Sequence, residues 1–195
     1  MKIYYFCQAD FQMNQASTCY TYCMNNLKKA IKTLESGKVI AFPTETVFGI
    51  GACLNQPRAI SRIFKIKQRP KNKPLQILVS SLAEAQKLGR FSQKALEFAK
   101  KHWPGPYTLI VPGIKGGKTI GLRIPDHRTI LKLIREVGPI AATSANISGK
   151  SPALTTKQAR EYVGDKVDFI LPGRTRKGKA SKVIDFTNKP KIIRV

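Results

Sequence analysis

Three stretches of this 195-residue chain carry side chains able to do chemistry together. Lys67, Arg69, Lys71 and Lys73 alternate along a segment stiffened by Pro70 and Pro74. On extended backbone, alternate side chains share a face, so these cations would converge on a polyphosphate; they suit a solvated basic loop equally well. Thr143-Ser144-Ala145-Asn146 follows an apolar run of small residues. Small side chains let a ligand approach the backbone, and the hydroxyls and amide suit carboxylate or phosphate oxygens. The same run also suits a turn that satisfies its own backbone. The third stretch, Phe42-Pro43-Thr44-Glu45-Thr46-Val47-Phe48-Gly49, sets two threonines and a carboxylate where a strand ends at Pro43. Strand ends are where α/β folds carry function. Together the stretches imply a polyanion held beside a small polar molecule, with Lys67 and Asn146 sharing one recess.

Arg123 sits in an apolar strand context, Leu122-Arg123-Ile124-Pro125. A buried cation needs a partner, which here is Glu45, Asp126 or a substrate carboxylate. His102 and His127 have no serine or cysteine at a recognisable spacing, so no nucleophilic triad is assigned. His102, beside Trp103, reads as packing, and His127, at a helix start, reads as exposed. Neither a P-loop nor a dinucleotide fingerprint is present. Cys7, Cys19, Cys23 and Cys53 match no zinc spacing and read as free thiols, with Cys53 a small core residue. No metal site is assigned.

The elements that must position these residues follow from periodicity. A helix is expected from Asn25 or Asn26, with Leu27, Ala30, Ile31 and Leu34 on one face and Gly37 as its stop. Strand 39–42 follows, then the Pro-Thr-Glu-Thr turn, then strand 47–52. Pro57 opens a helix burying Ala59, Ile60, Ile63 and Phe64, and 67–74 is a loop. Ser81 and Ser92 cap two short helices, and Asp126 caps a helix over 128–137. Strands are expected at 75–79, 109–111, 119–124, 139–142, 167–171, 183–186 and 192–195, with a helix from Thr156. This alternation indicates an α/β domain with a mixed sheet. Residues 1–24 read as an N-terminal extension, with a possible strand at 3–6, and 25–195 as the functional domain.

Lys and Arg number 35 against 11 Asp and Glu, a net charge of +24. Such an excess attracts nucleic acid, nucleotide or an anionic surface, or simply solubilises. No stretch is long enough to span a bilayer and the N-terminal apolar run is too short for a signal peptide, so a cytoplasmic location is expected and no membrane partner.

Pro43 to Gly49, Lys67-Gln68-Arg69-Pro70, Trp103 to Thr108, Leu122 to His127, Thr143 to Gly149 and Ser181 to Asp185 occur in this order. In that ordered set, from about Asn25 onward, the chain resembles the YrdC/TsaC family of threonylcarbamoyl-AMP synthases. The resemblance implies a twisted mixed α/β sheet with flanking helices around a large basic cavity. It implies a nucleotidyltransferase that forms L-threonylcarbamoyladenylate and diphosphate from L-threonine, bicarbonate and ATP. The product would serve the threonylcarbamoyl modification of tRNA through a downstream transferase complex, and Mg2+ would accompany ATP. Lys67 and Arg69 would hold the phosphates as the catalytic pair, with Lys71 beside them. Ser144 and Asn146 would line the shared site, Thr44 and Arg123 would orient threonine, and Ser181 and Arg194 would form the far wall, with Thr108 and Thr143 as further contacts.

The sequence departs from many relatives at Phe48, Leu78 and Lys182, where tyrosine, histidine and threonine are common. Two other readings follow from the same fold. One is an RNA-binding module without adenylate-forming activity, motivated by the charge. The other, ranked last, is a carbamoyl-transfer domain like that of hydrogenase-maturation proteins. Residues 174–182, basic and rich in small residues, are a candidate lid over ATP.

Overall fold

The computed structural model describes residues 16–70, 72–115, 118–147 and 150–194. The expected strand at 3–6 and the candidate Lys71 lie outside them. Nine strands form one mixed sheet: β1 (Ile40–Phe42), β2 (Gly49–Cys53), β3 (Gln76–Leu78), β4 (Tyr107–Pro112), β5 (Thr119–Arg123), β6 (Ile140–Ser144), β7 (Phe169–Ile170), β8 (Lys182–Asp185) and β9 (Lys191–Arg194). Their order is β7-β1-β2-β6-β3-β5-β4-β8-β9. The β7–β1, β3–β5 and β4–β8 pairs are parallel and the remaining five antiparallel.

Period-two alternation sorts the strands' side chains onto two covered faces. On one face Ile40, Phe42, Leu78, Ile140 and Ala142 pack under α1 (Ala16–Glu35) and α5 (Arg128–Val137). On the other face Val39, Ala41, Ile50 and Ala52 meet α2 (Pro57–Lys67) and α6 (Thr156–Val163). Farther along that second face Ile77, Val79, Leu109, Val111 and Leu122 meet residues of α3 (Leu82–Gln86) and α4 (Gln93–His102). The serines expected as caps act as such: Ser81 Oγ accepts from Glu84 N and Ser92 Oγ from Ala95 N.

Several local expectations are corrected. α1 begins at Ala16, not near Asn25, because no glycine or proline interrupts residues 16–36; its buried stripe still starts at Leu27. The 24/25 division therefore falls inside a helix. Lys67 is the last residue of α2, not a loop residue, and Gln68 after it is left-handed (φ 50°), so the alternating extended cations do not exist as such. Thr143 and Ser144 complete β6 and do not follow it. Asp126 does not cap α5, whose N-cap is His127 without a side-chain cap bond; the Asp126 carboxylate pairs instead with Arg176 Nη2 at 2.8 Å. His127 is half-buried, not exposed.

Two glycines make close approaches that the site needs. Gly51 lies against Phe42 and Ile140, and a Cβ there would stand 2.7 Å from Ile140 Cγ2 and 3.0 Å from Ala141 O. Gly105 turns so tightly that a Cβ would fall 2.3 Å from His102 O. That turn presents the Gly105 carbonyl to Arg123 Nε at 3.1 Å.

Overfilling a packed sheet position costs about 1–3 kcal/mol. Gly51→Ala is therefore expected to lower the urea midpoint of unfolding while leaving the denaturant slope unchanged. A midpoint equal to that of the parent chain would contradict the crowding seen at Phe42 and Ile140.

Candidate functional site

Beyond the α1/α5 cover, the same sheet face opens into a small recess of about 20 Å³. Its apolar wall is Phe42, Val47, Gly49, Leu78 and Ala142; its polar groups come from Thr44, Thr46, Gln76, Arg123, Thr143 and Ser144. Thr44, Arg123, Thr143 and Ser144 thus meet as the sequence suggested. Thr46 and Gln76 were not singled out. For Gln76 a signal existed: a lone amide inside the apolar run 75–79 needs a partner if buried.

Arg123 is 2% exposed. Its Nη2 pairs with Glu45 Oε1 at 2.6 Å and donates to Thr46 Oγ1 at 2.9 Å, so of the partners considered Glu45 is the one found. Glu45 is fully buried, and its second oxygen, Oε2, has no hydrogen-bond partner among the described residues. Arg123 Nη1 likewise meets no acceptor among them. Burial lowers the Arg123 pKa, and the facing Glu45 opposes that shift.

The order of protons in the threonine pair follows from donor chemistry. Thr44 gives its one hydrogen to Val47 O at 2.7 Å, so Thr46 must donate to Thr44 across 2.8 Å. Arg123 in turn supplies the hydrogen that Thr46 accepts. Glu45 also anchors the basic segment after β7: the backbone amides of Arg176 and Lys177 donate to its carbonyl at 3.2 and 2.8 Å.

Lys67 leaves the end of α2 and reaches the end of β6. Its ammonium donates to Ser144 O at 2.5 Å, Asn146 O at 2.8 Å and Asn146 Oδ1 at 2.7 Å. Three hydrogens meet three acceptors, which is what a 1% exposed ammonium requires. Ser144 Oγ donates to the same Asn146 Oδ1 at 2.6 Å, and Asn146 Nδ2 donates to Lys150 O. Burial, reinforced by Arg69, lowers the Lys67 pKa to about 8. Arg69 closes its own loop, Nε on Lys73 O and Nη2 on Pro74 O at 2.8 and 3.0 Å. Lys73 is exposed.

On the far side Thr108 Oγ1 donates to Gln76 Oε1 at 2.8 Å and lies 2.9 Å from Ser181 Oγ. Arg194, on the exposed edge strand β9, donates to Ser181 O at 2.9 and 2.7 Å and to Ser181 Oγ at 3.1 Å. Its pKa is lowered by burial of the guanidinium and then by Arg123 and Arg69. Lys67, Arg69, Arg123 and Arg194 therefore form one electrostatic neighbourhood, and the described residues put a single carboxylate, Glu45, in contact with it. Cations brought together with so few counter-charges raise the local potential toward anions.

The two histidines do other work. His102 stacks with Phe98 and Tyr107, ring centroids 4.1 and 4.8 Å away. Burial first, against the opposing pull of Glu45, lowers the His127 pKa to about 4, so this ring is neutral at pH 7. Cys53 lies in the core with its thiol on Leu34 O at 3.6 Å, and burial raises its pKa.

Comparison with known proteins bears on this arrangement. Residues 32–195 match the Sua5/YciO/YrdC family model, described as "Telomere recombination". A protein of Pyrococcus abyssi named threonylcarbamoyl-AMP synthase is 42% identical over 172 residues, covering 82% of this chain and 50% of its own length. A Vibrio campbellii protein of the same name is 35% identical over 175 residues, covering 83% of this chain and 95% of its own. This chain thus spans half of the first relative and nearly all of the second. The crystal structure of P. abyssi Sua5 complexed with L-threonine superposes with a TM-score of 0.82 at 38% identity, over 86% of this chain and 53% of that one. By the extent of that match, and by a relative of nearly its own length, this chain belongs to the Sua5/YciO/YrdC family.

Proposed function

We propose that the chain is a threonylcarbamoyl-AMP synthase, a nucleotidyltransferase that makes L-threonylcarbamoyladenylate and diphosphate from L-threonine, bicarbonate and ATP. One observation carries the reading. Arg123 lines the recess, Lys67 bonds Ser144 on its wall, and Arg69 and Arg194 are their electrostatic neighbours, with one carboxylate, Glu45, in contact with the set, so the site is short of negative charge. The relatives' shared name and the L-threonine complex of P. abyssi Sua5 support L-threonine and ATP as substrates.

The free volume of the recess is about 20 Å³, far below the ~300–1,000 Å³ of pockets for drug-sized ligands, so it has to open to admit a substrate. Its polar lining suits an amino acid, with the triphosphate lying outside it toward Arg69 and Arg194. The threonine amine attacks bicarbonate carbon, and loss of water leaves a carbamate. A carbamate oxygen then attacks the α-phosphorus. The bond from that phosphorus to the α–β bridging oxygen breaks, and its electron pair leaves with diphosphate. Chemistry of this kind needs alignment and charge neutralisation and no protein nucleophile.

In this scheme Arg123 meets the threonine carboxylate through Nη1, while Nη2 stays with Glu45 and Thr46. The Lys67 ammonium holds Ser144 and Asn146 in place and adds its charge; Arg69 Nη1 and the Arg194 guanidinium face the phosphates. Magnesium enters as the ATP complex, with phosphate oxygens as its ligands. The adenylate would pass to a transferase that modifies tRNA, and the reaction would run in the cytoplasm. No helix among the described residues is long and apolar enough to cross a membrane.

Two tests follow. Lys67→Ala and Arg69→Ala should each lower threonine- and bicarbonate-dependent diphosphate release by at least about 100-fold, the scale lost with one preorganised electrostatic contact. Undiminished release in both variants would remove the assigned roles. The second test uses pH. The Lys67 amine is charged below about 8 and loses its proton as pH rises through that value. A bound polyphosphate favours the ammonium, so binding takes up a proton above pH 8. Affinity for a non-hydrolysable ATP analogue should weaken between pH 8 and pH 10, by up to about tenfold per pH unit from this linkage. An affinity constant from pH 7 to pH 10 would show that Lys67 does not sense the nucleotide.

A further inference from the structure

Gln76 is the one polar side chain of β3, and its neighbours leave it room. Its register partners are Gly121 on β5 and Ala142 on β6, both small. Arg123 is two residues beyond Gly121 on the same strand, so it projects to the same face as Gln76. Both side chains line the recess.

The orientation of the Gln76 amide fixes the direction of a chain of single hydrogens. Arginine can only donate, so Ser181 Oγ accepts from Arg194 Nη2 at 3.1 Å. The Gln76 atom 2.8 Å from Thr108 Oγ1 is the carbonyl oxygen, which can only accept, so the Thr108 hydrogen goes to it. Thr108 must then accept across 2.9 Å from Ser181 Oγ. The Nε2 group is thereby turned away from Thr108. Among the described residues it has no acceptor, and neither has Arg123 Nη1.

We propose that Gln76 Nε2 is a second donor to the carboxylate of the amino-acid substrate, beside Arg123 Nη1, held in that orientation by the Arg194–Ser181–Thr108 chain. The inference rests on the reading that an amino acid occupies the recess. Two donors on one face suit the two oxygens of a carboxylate better than a single hydroxyl. Gln76 thus acts on recognition of the amino acid and not on the nucleotide. Ser181 does not line the recess and acts only through Thr108 and Gln76, as a positioning residue.

The test measures L-threonine binding by calorimetry and, separately, Michaelis constants for L-threonine and ATP. A hydrogen bond to a charged group is worth ~1.5–3 kcal/mol, so Gln76→Met and Gln76→Glu should weaken L-threonine binding by roughly 10- to 100-fold. The ATP constant should stay within about twofold, since no contact to the nucleotide is lost. Gln76→Glu should also raise the preference for L-threoninamide over L-threonine, because a carboxylate accepts from an amide and repels a carboxylate. Ser181→Ala should weaken L-threonine binding several-fold while Ser181→Thr, which keeps the hydroxyl, restores it. Unchanged L-threonine affinity in both Gln76 variants overturns the proposal, as does a parallel loss for threonine and ATP. If the parent chain binds L-threonine but releases no diphosphate, the proposed reaction fails while the calorimetric comparison still decides the role of Gln76.

Discussion

A lysine ammonium with 1% of its surface exposed persists only where every hydrogen has an acceptor, and Lys67 meets that condition at one place in the chain. Its three partners are the Ser144 carbonyl and both oxygens of the Asn146 residue, so the bond set ties the end of α2 to the turn leaving β6. The shape of the site depends on that tie. Ser144 Oγ and Lys67 Nζ converge on one amide oxygen, which fixes the Asn146 rotamer and leaves its Nδ2 for Lys150. Replacing the ammonium removes a charge, three hydrogen bonds and the reason for the turn's geometry together.

Arginines impose a second kind of order. Each can only donate, and each heads a series of hydroxyls that have one hydrogen apiece. Arg123 sets the direction through Thr46 and Thr44 to Val47 O; Arg194 sets it through Ser181 and Thr108 to Gln76. The first ends beside Thr44 and the second at Gln76, both of which line the recess. Both give the hydroxyls a fixed polarity before any ligand arrives, which is the condition for electrostatic stabilisation without reorganisation. The threonines and serines here are therefore relays for fixed cations and not independent contacts.

This division explains what was legible in the sequence. Strand and helix positions were readable because apolar periodicity decides them: Leu27, Ala30 and Leu34 bury one stripe of α1, and Ile130, Leu133 and Ile134 one stripe of α5. That Thr44, Arg123, Thr143 and Ser144 meet at one recess was legible because polar side chains next to apolar strands gather where the strands end. The Lys67 to Lys73 stretch was misread, since alternation in sequence was taken for alternation in space. One left-handed residue, Gln68, breaks the geometry on which that inference depends, and nothing in the residue types announces it. The start of α1 was missed for the opposite reason. Of residues 20–26 none is buried, and Tyr20 and Tyr22 are mostly exposed, so periodicity gives no signal where the helix extends beyond the packed body. Gln76 shows a third limit: its importance lies in hydroxyls contributed by β4 and the segment before β8, some 32 and 105 residues away in sequence.

The net charge of +24 divides along the same line. Lys28, Lys29 and Lys32 on α1, and Lys94, Lys100 and Lys101 on α4, stand exposed. Their field decays over about 8 Å at physiological ionic strength, so they attract polyanions weakly and without geometry. Lys67 and Arg123 are shielded from salt by burial, and Arg69 and Arg194 are partly so, as their lowered pKa values reflect. The first set carries no information about what the protein selects. The second set is small, meets one carboxylate, and is held at fixed positions by backbone carbonyls and side-chain oxygens. A site-bound anion must therefore match the geometry of that second set, and a high net charge by itself is no guide to where it will sit.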